Sequence, residues 1–513
     1  MNKALLNSIL AGVFVTMGGG CRRAVQEPIL PVAVPETFSV SGTRPMVERW
    51  WEHFDDGQLN GLVDEALGGN FDLQAAWDRL AQAEAVARRA EATVWPWVDW
   101  TGSASTSRRD AKATGTTETQ AHSLGLAAGY EVDLWGELAS TRRAAWLDVE
   151  AQQEAVDTAA ITISASVAST WYQLGEAQAQ VRIAQAQIAA NKDVLEIVTV
   201  QFRNAVARAA DVLRQRQLVA STESQLIAAQ ETVEVLQYRL AALLGRTPEL
   251  AWGDRPVGLA DVGELPAVGL PTEVLWRRPD VRQGYRQLQA ADQRLAAAIA
   301  DQYPRLSLSA GVSTFSGAPV RDLFRDWLTT LAANVAGPVF DAGLRKAEVE
   351  RQRAIVSERV HGWSGTVLEA LAEVETALSQ ERQQAMFLSS IREQLELARQ
   401  TYERNRESFM KGQVDYIRVL ESLQSLQALE RSEVTARRTL IGRRIDLYRA
   451  TAGAWDKPRP GTAGDYFTAE HAEDVKDAED ALVIDNRGQD ARGTQGRDAL
   501  ATRGDSGNAQ VSP

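Results

Sequence analysis

The sequence predicts a mainly α-helical chain with a membrane β component: long antiparallel coiled-coil helices, duplicated within one chain, plus four β-strands. Three observations carry this. First, a phrase is said twice. YEVDLWGELASTRRAA (130–145) aligns with GPVFDAGLRKAEVERQRA (337–354), with Asp133 on Asp341 and Pro96 on Pro304, both 208 apart. Phe202 falls on Phe409 and Leu213 on Leu420, 207 apart. One offset across unrelated textures is an internal duplication. Second, the seam Val156, Ala160, Ile163, Val167, Thr170, Leu174, Ala177, Val181, Ala184, Ile188, Asn191, Leu195, Val198, Phe202 steps by four and three throughout. A sustained period of 3.5 is the mark of a coiled coil. Third, VDWTGSASTSR and SLGLAAGYEVDLW alternate polar and apolar residues around a polar loop, the pattern of a long β-hairpin.

The elements follow in order. The N-terminus, MNKALLNSILAGVFVTMGGGC, has one Lys and an apolar run from Ala4 to Met17. That run is shorter than the roughly 20 residues a bilayer requires and fits a signal peptide over 1–20. The sole cysteine, Cys21, stands where cleavage would fall and resembles the acylated Cys of a bacterial lipobox, with Gly18 in place of the usual Leu. Residues 21–58 are then a lipidated extension. A first repeat spans 59–255. It holds a helix over 59–93, a hairpin over 97–135, and a helical hairpin with its tip near 202–213. A linker occupies 256–271. A second repeat spans 272–455, with its hairpin over 305–340 and its tip near 409–420. Gly136 and Gly343 mark the two switches from strand to helix. From 456 to 513 an acidic texture, rich in Asp, Gly and Arg, reads as a disordered tail.

Lengths constrain the assembly. A helix from about Leu138 to Asn204 spans about 100 Å, and the returning helix from about Asp211 to Leu244 covers about half of that. Two short helices end to end therefore match one long one. No segment after the signal peptide has 18 apolar residues free of charge, so membrane entry is by β-barrel or by lipid. Two hairpins give four strands, and small closed barrels need about eight. Unpaired edges are not tolerated in lipid. The chain must share its barrel with other copies, two making eight strands or three making twelve.

Composition excludes other classes. The 513 residues carry a net charge of −13, which argues against nucleic acid as a partner. His53, His122, His361 and His471 are scattered, so they and Cys21 assemble no metal cluster along the sequence. No catalytic or phosphate-binding motif is present, so neither an enzyme nor a cofactor is expected.

WWEHFDDGQLNGLVDEAL, YEVDLWG, LWRRPDVRQ (275–283), GPVFDAGLRKAEVE and YERNRESFMKGQVDYIRVLESLQSL, in this order within a duplication, resemble the outer-membrane factors. These are the TolC-like channels of tripartite efflux and type I secretion systems. The lipobox-like Cys21 and LWRRPDVR make the chain most similar to the OprM/NodT-like lipoprotein branch. The resemblance implies a homotrimer with a 12-stranded β-barrel in the outer membrane and an α-barrel in the periplasm. Its implied partners are a periplasmic adaptor (membrane fusion) protein and an inner-membrane pump, proton-driven in this branch. The implied function is a passive duct for small molecules, drugs foremost, gated at its periplasmic helical tips. The alternatives are a type I protein or peptide secretion channel and a poreless coiled-coil scaffold.

By the same resemblance Phe202, Phe409 and Gly412 belong to the tips that meet the adaptor. The acidic gate places of the family fall on Arg418 and Glu421, and by the repeat on Asp211 and Arg214. Arg418 departs from the acidic pattern. The four charges either latch the closed end, Asp211 to Arg418 and Arg214 to Glu421, or are solvated tip charges with little energetic weight. Ala205 stands where the second repeat has Gly412, so the first tip is expected to turn differently.

Overall fold

The computed structural model describes residues 32–45, 47–111, 115–248, 256–317, 322–453 and 455. The signal peptide, Cys21 and the acidic tail lie outside the described residues. A 3₁₀ turn, Trp50–Phe54, precedes α1 (Gly57–Gly69) and α2 (Phe71–Ala92). Strands β1 (Trp97–Ala111) and β2 (Gly115–Val132) lead to α3 (Glu137–Arg203) and α4 (Ala209–Leu243). The second half repeats the plan with α5 (Pro271–Arg277), α6 (Pro279–Ala300), β3 (Arg305–Ser316), β4 (Trp327–Ala336), α7 (Leu344–Met410) and α8 (Tyr416–Thr451).

Helices α3 and α7 are 67 residues each, about 100 Å long. α3 packs against α2 and α4, and against α6 and α8; α7 packs against α6 and α8. Within its own repeat each long helix thus runs beside two shorter ones. The seam of α3 is buried at Val156, Ala160, Ile163, Val167, Thr170, Leu174, Ala177, Ala184, Asn191 and Val198. It ends exposed at Phe202. Apolar side chains also stand exposed on the chain's two flanks, Ile227 and Val235 on α4, Leu368, Phe387 and Leu397 on α7.

The single helix expected over 59–93 is two helices, α1 and α2, broken at Asn70. There the backbone turns extended (φ −70°, ψ 125°), and the side chain caps α2 by accepting from the Asp72 and Leu73 N–H groups. Gly68 and Gly69, poor helix formers, precede the break. The equivalent break falls at Arg278, with the same φ and ψ, because Pro279 follows it.

The strands form one antiparallel sheet in the order β1-β2-β3-β4. Strands β1 and β2 have 15 and 18 residues, longer than the roughly 12 that alternation indicates. Much of the supposed loop over 110–120 is strand. Thr residues favour a pleated backbone, and Arg108 faces Glu118 across the pair.

The register sorts the sheet into two faces. Leu126 pairs Trp100 and Val312, and Val312 pairs Thr329. With alternate residues on one face, Val98, Trp100, Leu124, Leu126, Leu306, Leu308, Leu331 and Val335 share a side. Thr101, Ser103, Ser123, Ser307, Ser309, Thr330 and Asn334 share the other, with Trp97, Phe315 and Leu328 near the strand ends. The outer edges of β1 and β4 have no strand partner among the described residues.

A collar holds the middle of the helices. Trp50, Trp51 and Phe54 pack on Trp171 and Tyr172 of α3, Tyr448 of α8, and Trp455. Arg444 binds Glu381 of α7 through its Nε at 2.9 Å and the Val262 carbonyl at 2.7 Å, fixing the inter-repeat segment to the helices.

Candidate functional site: strand-helix junctions and helical tips

At the first junction Gly136 has φ 80°, and at the second Gly343 has φ 88°, both in the region that disfavours a Cβ. A Cβ at either glycine would meet nothing within 4 Å, so the requirement is conformational. The helix donors are satisfied by the aspartates upstream. Asp133 accepts from the Leu138 and Ala139 N–H groups at 3.2 and 2.8 Å. Asp341 accepts from those of Gly343 and Arg345 at 3.0 and 3.4 Å. The Gly343 N–H, foremost, holds the Asp341 carboxyl below its ordinary range. Arg305, opening β3, joins Glu137 at 2.7 Å and Asp301 at 2.6 Å. Asp301 in turn meets Arg345 at 3.1 Å, so one ionic chain spans both junctions. Trp135 stacks on Tyr303 at 4.7 Å and donates to the Pro304 carbonyl. Such rings suit the boundary between lipid and water.

The two tips make the same turn, contrary to the expectation from Ala205. Ala205 adopts φ 60° and Gly412 φ 73°. The Val206 N–H donates to the Gln201 carbonyl and the Gln413 N–H to that of Ser408, both at 2.9 Å. These six-to-one bonds close a Schellman-type end, whose geometry asks for a left-handed residue whatever its side chain. Ala205 accepts that strain.

The tips differ in packing. Tyr416 and Leu420 are buried together with Val198 and Val212. Phe409 packs on Tyr416 at 5.8 Å. Their counterparts at the first tip, Phe202 and Leu213, are exposed, as are Val206 and Met410. An aromatic side chain at Tyr416 corresponds to Ala209 in the first repeat. The ring that covers Phe409 in the second tip is therefore absent at this position of the first.

Asp211 accepts from the Arg208 N–H at 3.1 Å, capping α4, and pairs with Arg214 at 3.5 Å. Within one chain, among the described residues, neither Asp211 with Arg418 nor Arg214 with Glu421 forms a pair. Arg214, Arg418 and Glu421 are not buried. Placed just above them is a group that sequence reading passed over. Tyr416 donates its hydroxyl proton to Gln215 Oε1, and Gln215 donates to the Asn191 carbonyl at 2.7 Å. Asn191 donates to Thr222 at 3.0 Å, and its Oδ1 accepts from Gln427 at 2.8 Å. Gln187 then donates to the Gln427 carbonyl at 3.1 Å. Every member is buried. This amide ladder ties α3 and α4 to α8. Burial, then nearby Asp211, pushes the Tyr416 phenol up, so it stays a proton donor. The available signal was Asn191, a polar residue at a seam position of the coiled coil.

The LWRRPDVR phrase is structural. Arg278 is buried and binds Asp280, Glu373 at 2.8 Å and the Ala450 carbonyl at 2.9 Å. Arg282 grips Glu154 of α3 with two nitrogens, at 2.9 and 2.6 Å. Among the described residues no cluster of metal-ligating side chains occurs.

The family model for outer membrane efflux proteins matches residues 62–246 and 270–453, the two repeats in turn. The pyoverdine export outer membrane protein OpmQ of Pseudomonas aeruginosa is 31% identical over 427 residues, covering 81% of this chain and 90% of that protein. Nodulation protein T of Rhizobium leguminosarum bv. trifolii is 25% identical over 423 residues, covering 80% and 89%. Among solved structures, the outer-membrane channel OprN superposes with a TM-score of 0.78 at 25% identity, over 84% of this chain and 99% of that one. CusC superposes at 0.76 with 26% identity, over 84% and 99%. Named relatives of this kind are transport proteins rather than enzymes. A duplicated pair of TolC-like helical hairpins carrying a two-faced sheet, matched along both repeats, has one reading: the chain is a protein of the outer membrane and belongs to the outer membrane efflux protein family.

Proposed function

We propose that three copies of this chain close into a 12-stranded barrel and a continuous helical tube, a passive duct that exports small molecules across the outer membrane. The observation that carries this is the sheet. It has an apolar face for lipid, a polar face for a bore, and two unpaired edges that lipid forbids. The exposed apolar residues on α4 and α7 give the helical layer matching open flanks. Energy then comes from an inner-membrane pump, reached through a periplasmic adaptor that covers the apolar tips at Phe202, Val206 and Met410. Cys21 bears the lipid anchor. At the closed end Asp211 pairs with Arg418, and Arg214 with Glu421, across subunits. Relatives named for pyoverdine export and for cation efflux support small-molecule cargo, with drugs in the same class.

The test is a heat-labile trimer in the membrane fraction together with channel conductance in planar bilayers. A monomer with no conductance would sink the duct.

A further inference from the structure

A cavity of about 430 Å³ opens between α3, α4 and α8, its floor formed by Ala165 and Ile445, which also pack into the collar's core. Thr162, Ser166 and Ser169 line it from α3, and Trp171 and Gly175, which meet Asp56 and Val257 of the collar, lie roughly half a turn round that helix. On α8 the same division holds. Arg438, Gly442 and Arg449 face the cavity, whereas Ile441, Arg444 and Tyr448 are buried on the collar side.

The lining is basic. Arg239, Arg438, Arg443 and Arg449 converge on it. Arg438 is matched by Glu176 at 2.8 Å and Arg443 by Asp446 at 3.6 Å. Arg239 and Arg449 have no ion pair among the described residues. Two guanidinium charges are therefore surplus, in a chain whose net charge is −13. The hydroxyls of Ser166 and Thr439 donate to the Thr162 and Thr435 carbonyls, which leaves guanidinium N–H groups as the main donors. Gly442 gives the wall its recess, since a Cβ there would meet only Arg438 Nη1 at 3.5 Å. The volume lies in the range of small-molecule sites, and the guanidinium fork matches carboxylate and phosphate geometry.

We propose that this cavity is a binding site for small oxyanions, carboxylate- or phosphate-bearing, on the inner wall of the duct. The location in the bore rests on the duct reading above, taken with the collar on the outer side of the helices. The binding itself does not.

Isothermal titration of the detergent-solubilised full chain with citrate, and separately with pyrophosphate, tests it. Saturable binding that weakens on the order of tenfold in Arg239→Gln with Arg449→Gln is expected, since hydrogen bonds between a guanidinium and an oxyanion are among the stronger kind. Gly442→Leu should abolish binding by filling the recess with no change of charge. Arg449 is exposed, so Arg449→Gln alone separates a binding defect from a folding defect. The tighter of the two probes names the cargo's charged group. Absent saturable binding in the wild type, or equal binding in all variants, overturns the site. Conductance measured on the same proteins reports on the duct independently.

Discussion

Asn70 and Arg278 stand 208 residues apart and hold the same joint in the two repeats. Each begins the helix that runs up to a hairpin, and each has φ −70° and ψ 125°. Each donates to a carbonyl at the end of the returning helix, Asn70 to Leu243 at 2.9 Å and Arg278 to Ala450 at 2.9 Å. One side chain thus welds two short helices end to end beside each long one, satisfying carbonyls that a helix end leaves orphaned.

The two welds should break unequally. Asn70→Ala removes an N-cap and one carbonyl partner, a loss of about 1–2 kcal/mol. Arg278→Ala removes a buried guanidinium from the half-exposed Asp280 and Glu373 carboxylates and from the Ala450 carbonyl, a loss of roughly 2–3 kcal/mol. Thermal unfolding should show the larger drop for Arg278→Ala. Equal drops would deny the electrostatic difference.

Gln427→Leu should destabilise by about 1–3 kcal/mol, because Asn191 Oδ1 then stays buried without a donor. Adding Asn191→Leu should recover part of that loss, since an apolar pair leaves fewer orphaned groups. The ladder joins α3 and α4 to α8 just above the tips, so Gln427→Leu should also raise the open probability in planar bilayers. A double variant worse than the sum of the singles would argue against the ladder.

Ala205→Gly should raise the unfolding temperature and Gly412→Ala should lower it, each by the equivalent of about 1 kcal/mol. The sign differs because both positions have positive φ and only one has glycine. A calorimetric comparison of the two variants decides this.

His53 lies buried in the collar, 2.9 Å from the Tyr448 hydroxyl. Burial, then Arg44 and Arg444, lowers its pKa below the ordinary value of 6.5. The unfolded chain then binds the proton more readily than the folded one. The neutral ring's contribution is complete above pH 6.5 and is lost as pH falls from there through the lower folded value. Melting temperature should fall between about pH 7 and pH 5, and less steeply in His53→Gln. Parallel pH profiles for the two proteins would exclude the histidine.

Reversing Asp211 or Arg418 tests the gate. If charges pair across subunits at the closed end, Asp211→Arg and Arg418→Glu should each increase ion conductance. Unchanged conductance in both removes the latch.

The duplicated phrase, the seam from Val156 to Val198 and the alternating hairpins were legible because each is a periodicity carried by neighbouring residues. The break at Asn70 was less so: the apolar pattern continues through it, and the cap to Asp72 and Leu73 and the bond to Leu243 become visible only in the fold. Strand pairing out to Asp110 and Thr116 was hidden for a similar reason, since polar strand ends resemble a loop until their cross-strand partners are known.

By itself, then, the sequence determined that one chain supplies two hairpins, that Gly136 and Gly343 turn strand into helix, and that four strands are too few to close a barrel. Only the tertiary structure decided that Ala205 turns as Gly412 does, that Asp211 pairs with Arg214, and that Gln427 meets Asn191 across 236 residues. Local periods specify elements, because a helix or strand is a repeat of short-range geometry. Contacts between distant polar groups depend on the axial register of whole helices, set by packing along their full length.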